Sequence, residues 1–294
     1  MIYYFLPEGG IYGGVKLGCQ FVDLLTSLDV PATVVLPGGR APQWFTGGFA
    51  VMDEGTALAR LGPDDWAVYS WPPHYERLRT HPARLACHCM GTDPALDPGL
   101  SDPAVTVLTC WAQASRYVSA TIGRRPVDVG LAISEAFVFD GGVKWDNQVA
   151  YMPRRGAQTA AACRRAAPSL AFVAIDRQPE AGVARALKAS GLFLATAEGE
   201  WFGLPALEAM AAGCVVLSVP VLGGMEYLRD GDTCLVTTPA DMPERLRWVT
   251  QPAQATLRDR LRTRGVAEAC RYLPPPHRRR LEAALAADLR AWRP

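Results

Sequence analysis

The chain has 294 residues, 49% of them hydrophobic and 20% charged, with a net charge of +1. That length suits two domains of about 100–150 residues each. The near-neutral balance excludes a global field that would recruit nucleic acid or an anionic membrane, so any anion must be captured locally.

In chain order the pattern is strand, glycine turn, helix, strand. Residues 2–6 (IYYFL) form a short apolar run and 7–14 (PEGGIYGG) a turn. Residues 15–28 carry apolar side chains at helical spacing, and 32–37 (ATVVLP) read as the next buried strand. Further strands are expected at 66–71, 83–89 and 104–110, a helix at 112–122, and a last strand with its exit loop at 126–134. A polar, glycine-containing stretch at 137–148 marks the expected domain boundary. The alternation then restarts: strand at 149–152, helix at 157–167, strand at 170–176, helix at 179–190 and strand at 192–196. After a loop and an Ala-rich helix come strands at 214–220 and 234–237 and helices near 241–250 and 253–270. Residues 274–294 open on a proline stop and end as a helix. Continuous apolar strands alternating with helices predict an α/β chain of two Rossmann-like domains, 1–142 and 143–272, with 273–294 packing back on the first. Such pairs bind ligands in the cleft between strand ends.

Several classes are set aside by what the sequence lacks. The N-terminus begins as a strand, with no basic region or cleavage site, and is not expected to be a signal peptide. No uninterrupted apolar window reaches the ~18 residues of a membrane span, and no repeat of solenoid period stands out. Eight cysteines (19, 87, 89, 110, 163, 214, 234 and 270) are scattered through apolar stretches, as expected of reduced, buried thiols in a cytoplasmic protein.

The chemistry concentrates at 198–214, EGEWFGLPALEAMAAGC. This loop leaves the carboxyl end of a strand, where ligands of parallel sheets gather. Pro205 suits the first helical position and Gly213 the end of the helix, with Leu207, Met210 and Ala211 as the buried stripe. Amides around Gly203 and Leu204, backed by the helix dipole, make an anion site of the kind that takes phosphate. A structural helix start needs one acid, yet Glu198, Glu200 and Glu208 surround this one. Beside a phosphate such acids need hydroxyl donors, and sugar and ribose hydroxyls meet that need. The plainer alternative is that they are helix-dipole and solubility acids.

The segment from Glu200 to Glu208 resembles the E-x7-E motif of retaining GT-B glycosyltransferases of the GT4 type, with Trp201 where glycine is usual. The continuation through Gly223, Gly224 and Glu226, and then Asp230 and Gly231, is similar to the same family. The resemblance implies a GT-B fold with an abbreviated C-terminal domain, one strand–helix unit shorter between 154 and 170. It implies that Glu200 holds donor-sugar hydroxyls, Glu208 the nucleotide ribose, and the Phe202–Gly203–Leu204 backbone the sugar and diphosphate. It implies too that Arg154 or Arg155 neutralises the diphosphate, where the family uses an Arg and a Lys; the alternative is a solvated basic turn. By the same resemblance Gly13 and Gly14 let backbone approach the donor or acceptor, against a simple turn, since the G-x-G-x-x-G spacing is absent.

His88 is a candidate sugar contact by family likeness, or else a buried structural histidine. His74 is a weaker loop candidate. Cys87-His88-Cys89 is not expected to bind metal, because neighbouring strand residues point to opposite faces. The basic run 277–280 could meet anionic lipid or acceptor as a peripheral contact, or be a solvated helix face. No paired general acid and base and no Asp-x-Asp motif are present, as the family's metal-independent chemistry would have it, with the leaving phosphate taking the acceptor proton. The implied function is transfer from a nucleoside-diphosphate sugar to a glycan or lipid-linked hydroxyl, in polysaccharide or cell-surface glycan synthesis, with no cofactor and no metal. Three other readings stay open: a GT-B sugar-nucleotide epimerase, a non-catalytic nucleotide- or glycan-binding relative, and a Rossmann oxidoreductase or methyltransferase. The last would need a fingerprint in the first turn that is not there.

Overall fold

In the computed structural model, which describes residues 1–293, the apolar runs become parallel strands. Contacts divide the chain into two units, Met1–Ala132 joined by the residues from Pro275 on, and Ile133–Pro274. The boundary lies ten residues before the expected one at 142/143 because 133–139 already pack on the second unit. Phe137 is buried, and the Phe139 N–H donates to the Ala211 carbonyl at 3.0 Å.

Unit 1 runs β1 (Ile2–Phe5), α1 (Gly13–Thr26), β2 (Ala32–Leu36), β3 (Val51–Asp53), α2 (Glu54–Arg60), β4 (Trp66–Tyr69) and α3 (Pro72–Leu78). It continues through β5 (Arg84–Cys89), α4 (Asp97–Ser101), β6 (Val105–Thr109), α5 (Ala112–Tyr117) and β7 (Val127–Asp128). Its strands form one parallel sheet in the order β3-β2-β1-β4-β5-β6-β7, so the winding reverses between β1 and β4. β1 and β2 are buried along their whole length, as a sheet covered on both faces requires.

Three helices and a strand escape the sequence pattern. β3 is three residues long and half-exposed, and its four-residue apolar run, 49–52, follows a Gly- and Pro-rich stretch and is too short to show a period. α2 does carry a start signal, since the Asp53 carboxylate caps the Thr56 N–H at 3.1 Å. α3 and α4 are only seven and five residues long. The helix expected at 112–122 loosens after Tyr117 into a wider turn that Gly123 ends at φ 75°. The strand expected at 126–134 keeps two residues before Gly130 turns at φ 70°.

Unit 2 runs β8 (Trp145–Tyr151), α6 (Ala157–Ala166), β9 (Ala171–Ala174), α7 (Glu180–Ala189), β10 (Ser190–Ala195) and α8 (Leu204–Ala211). It ends with β11 (Val215–Ser218), β12 (Leu235–Val236), α9 (Met242–Val249) and α10 (Ala255–Ala269). The five parallel strands are ordered β12-β11-β10-β8-β9. The winding therefore reverses between β8 and β10, which opens a crevice at their carboxyl ends. One core joins Val149, Leu192, Leu194, Val215 and Leu217 of the sheet to Cys163, Met242, Leu246 and Leu261 of the helices.

The last helix, α11 (Pro274–Ala287), returns to unit 1. Leu281, Ala284, Leu285, Leu289 and Trp292 join Tyr4, Phe21 and Val34 in its core. All eight cysteines are free; seven are buried as expected, but Cys270 is exposed. No helix among the described residues is long and apolar enough to cross a membrane.

Three histidines are sealed in unit 1: His74, His88 and His277. Burial lowers their pKa from the usual 6.5 to about 4, about 3 and about 4 respectively. The unfolded chain then binds protons first. Their contribution is complete above pH 6.5 and drains away as the pH falls toward about 4. Each buried histidine should cost on the order of 2 kcal/mol of stability at pH 5. Calorimetric melts between pH 7 and 4.5 should show a steep fall in the unit 1 transition, and a flat profile would refute the prediction.

Candidate functional site

The loop from Thr196 to Gly203 joins β10 to α8 and turns at Gly199 and Gly203, with φ of 73° and 82°. Gly203 occupies the cap of α8, and no side chain caps the helix start. α8 begins at Leu204, so Pro205 is its second residue rather than its first, and Glu208 falls past the first turn. At the far end Gly213 (φ 74°) lets its own N–H reach Met210 and that of Cys214 reach Ala209, a left-handed stop.

The Tyr227 hydroxyl donates to the carbonyls of Gly203 (2.6 Å) and Phe202 (3.2 Å). In a trans peptide the C=O and the following N–H point opposite ways. Holding those carbonyls therefore aims the N–H groups of Gly203 and Leu204 away from Tyr227. Burial pushes the Tyr227 phenol far above its ordinary pKa, so it stays protonated and donating. The Phe202 ring is locked between Tyr227 and Tyr272, at centroid distances of 5.2 and 5.8 Å. Tyr227→Phe should leave the Gly203 carbonyl with the Ala206 N–H as its remaining donor and lower stability by about 1 kcal/mol, read as a drop in Tm; an unchanged Tm would contradict this role.

The loop after β11 is stitched to the same turn. The N–H of Leu222 donates to the Glu200 carbonyl at 2.8 Å, and that of Gly223 donates to the Trp201 carbonyl. Gly224 lies so close to the Phe202 carbonyl that a Cβ would overlap it. Glu226 accepts from the Tyr272 hydroxyl at 3.1 Å, and Asp230 from the Val236 N–H at 2.9 Å. Gly224 thus has a packing reason.

Arg154 and Arg155 follow β8 on the other side of the crevice. Gly156 caps α6 at φ 74°, and a Cβ there would overlap the Thr196 carbonyl. Thr196 Oγ1 donates back to the Arg155 carbonyl at 3.1 Å. This tight seam brings the Arg155 guanidinium to the Glu200 carboxylate, Nη1 to Oε1 2.9 Å. An open crevice with about 540 Å³ of empty space, part of it bulk solvent, lies here, lined by Arg154, Arg155, Thr196, Glu200, Gly203 and Ala206 among others. Glu208 is outside that lining: it is 7% exposed within α8. Among the described residues no group of three metal-ligating side chains converges.

His88 sits elsewhere. Its side chain is 2% exposed in the unit 1 core, with Nδ1 2.9 Å from the Tyr4 hydroxyl and Phe21 against its ring. It lines a small void with Gln20, Cys110 and His277 and does not reach the surface, so the expected sugar contact is withdrawn in favour of a structural histidine. His74 is likewise buried, on α3 rather than in a loop. In the basic run, His277 is buried, Arg278 bonds Glu282 and Ser27, and Arg280 pairs with Asp128, which accounts for three of its members within unit 1. Gly13 and Gly14 are the exposed first residues of α1, while the turn before them is pinned by Trp44 Nε1 donating to the Gly9 carbonyl. A Cβ on Gly14 would meet only Met90, at an ordinary 3.8 Å. The chain's own packing does not demand glycine at 14.

With this geometry in place, comparison with solved structures decides the architecture. HepE of Anabaena, solved with UDP and glucose, superposes with a TM-score of 0.75 at 13% identity, covering 97% of this chain and 99% of its own. The fold is that of the GT-B glycosyltransferases. A sucrose-phosphate synthase of Thermosynechococcus elongatus gives a TM-score of 0.73 at 12% identity, with 99% of both chains covered. A glycosyltransferase of Rickettsia africae gives 0.67 at 9% identity, covering 99% of this chain and 97% of its own. At such identities the likeness speaks to fold alone. In sequence, residues 172–264 match the family model described as glycosyl transferases group 1, a segment inside unit 2 that contains the whole Glu200–Glu208 stretch. No curated protein matches the chain.

Proposed function

We propose that this chain is a retaining glycosyltransferase, moving a sugar from a nucleoside-diphosphate sugar to a hydroxyl acceptor. The observation that carries the reading is the cavity at the β8/β10 reversal, which gathers two guanidinium groups, one carboxylate and a helix start with no side-chain cap. Arg154, Arg155 and the α8 amides supply positive potential for a diphosphate. Glu200 supplies the acceptor for sugar hydroxyls. The family match over 172–264 agrees, as do the UDP and UDP-glucose complexes solved for HepE. The retaining outcome and the assignment of ribose to Glu208 rest on the E-x7-E motif. The GT4 assignment rests on the same motif, and a cytoplasmic setting on the free thiols.

The chemistry assigned to the chain is electrostatic. As the glycosidic bond to phosphate breaks, charge grows on the leaving diphosphate, and fixed guanidinium groups and amides stabilise it without reorganising. A leaving phosphate oxygen takes the acceptor proton, and no metal is assigned a part. The test is release of nucleoside diphosphate from a panel of nucleotide-sugars, without added metal, by wild type, Glu200→Ala and Glu208→Ala. The reading expects turnover to vanish in Glu200→Ala and nucleotide affinity to weaken chiefly in Glu208→Ala. Wild-type-like behaviour of both variants would reject the site. Binding without turnover in wild type would favour a non-catalytic binding protein.

A further inference from the structure

On the glycosyltransferase reading just given, Arg155 and Glu200 face the two halves of the donor, yet in the free chain they hold each other. Their ion pair spans the cavity from the loop after β8 to the loop after β10. The backbones are anchored independently of it: the Arg155 carbonyl by Thr196 Oγ1, and the Glu200 carbonyl by the Leu222 N–H. The side chains are 50% and 29% exposed, so water screens the pair and its partners can be replaced. To a guanidinium, a carboxylate and a phosphate are partners of one kind. The Glu200 carboxylate therefore stands where a ligand's anionic oxygen would stand.

We infer that Arg155 and Glu200 exchange partners on donor binding, and that this exchange makes the site favour an intact nucleotide-sugar over the free nucleoside diphosphate. A free diphosphate captures Arg155 but strands the Glu200 carboxylate beside like charge, with nothing to bind. An intact donor captures Arg155 and gives Glu200 the sugar hydroxyls in return. Once the sugar has left, Glu200 re-pairs with Arg155 and the diphosphate loses its clamp. Glu200 is thus a specificity determinant that acts against the product as well as for the substrate.

Inorganic pyrophosphate is the probe, because it carries the anion without base or sugar. Calorimetry at fixed ionic strength compares wild type, Glu200→Gln, Arg155→Ala and the double variant, with melts confirming that the near-isosteric Gln folds. Glu200→Gln should tighten pyrophosphate about three- to tenfold. Arg155→Ala should weaken it, and adding Glu200→Gln to Arg155→Ala should give no gain. An unchanged, weaker or absent pyrophosphate affinity in Glu200→Gln overturns the inference. So does an equal gain when Arg155 is absent, since that would be general charge repulsion. The glycosyltransferase reading fails by a different sign, namely that no nucleoside diphosphate binds wild type.

Discussion

Replacing both Arg154 and Arg155 by alanine should lower kcat about 10²–10³-fold or more, the loss typical of removing one fixed donor from a developing charge. The two residues are the cations lining the cavity, and the Thr196–Gly156 seam fixes the backbone of their loop. Their effect belongs to the transition state, where charge on the leaving diphosphate peaks, so kcat should fall more than KM rises. Single variants separate their roles. Arg155→Ala also frees Glu200 from its ion pair, whereas Arg154→Ala leaves that pair intact. Steady-state rates with a nucleotide-sugar would check this, and a double variant retaining near-normal kcat would refute it.

Gly224→Ala should destabilise unit 2 by on the order of 3 kcal/mol. An added methyl would overlap the Phe202 carbonyl, which is backbone and cannot swing away as a flexible side chain would. Relief requires moving the turn that carries Phe202 and Gly203, so α8 loses the orientation that Tyr227 gives it. Gly14→Ala is the contrasting case, because its methyl meets Met90 at ordinary contact distance and leaves folding intact. Chemical denaturation of both variants would test the pair. Equal stability of Gly224→Ala and wild type would show that the stitched loops are not as tight as described.

Much of the fold was legible because the buried strands announce themselves as unbroken apolar runs: residues 2–6, 32–37, 104–110 and 214–220 all become strands. What stayed hidden was short or half-exposed. β3 has three residues and α4 five, too few to show a period. The alternation from 126 on looked like a longer strand, but Gly130 adopts a backbone that ends it. At the site, acids around a Gly-Leu-Pro turn and the resemblance to the E-x7-E motif pointed to the β10–α8 loop, whose Thr196, Ala197, Glu200 and Gly203 line the cavity. His88 misled because a histidine at a strand end reads the same whether it faces solvent or a covering helix. Only the packing of α1 and α11 shows that it is sealed. The Arg155–Glu200 pair joins residues 45 positions apart, and no local pattern reveals such a contact.

The most direct test of the central claim is calorimetric titration of UDP, GDP, ADP and dTDP, without added metal, into wild type and Arg155→Ala. One diphosphate should bind wild type, and that binding should weaken markedly when Arg155 is lost. Binding of none, or binding indifferent to Arg155, would contradict a nucleotide-sugar site at the β8/β10 crevice.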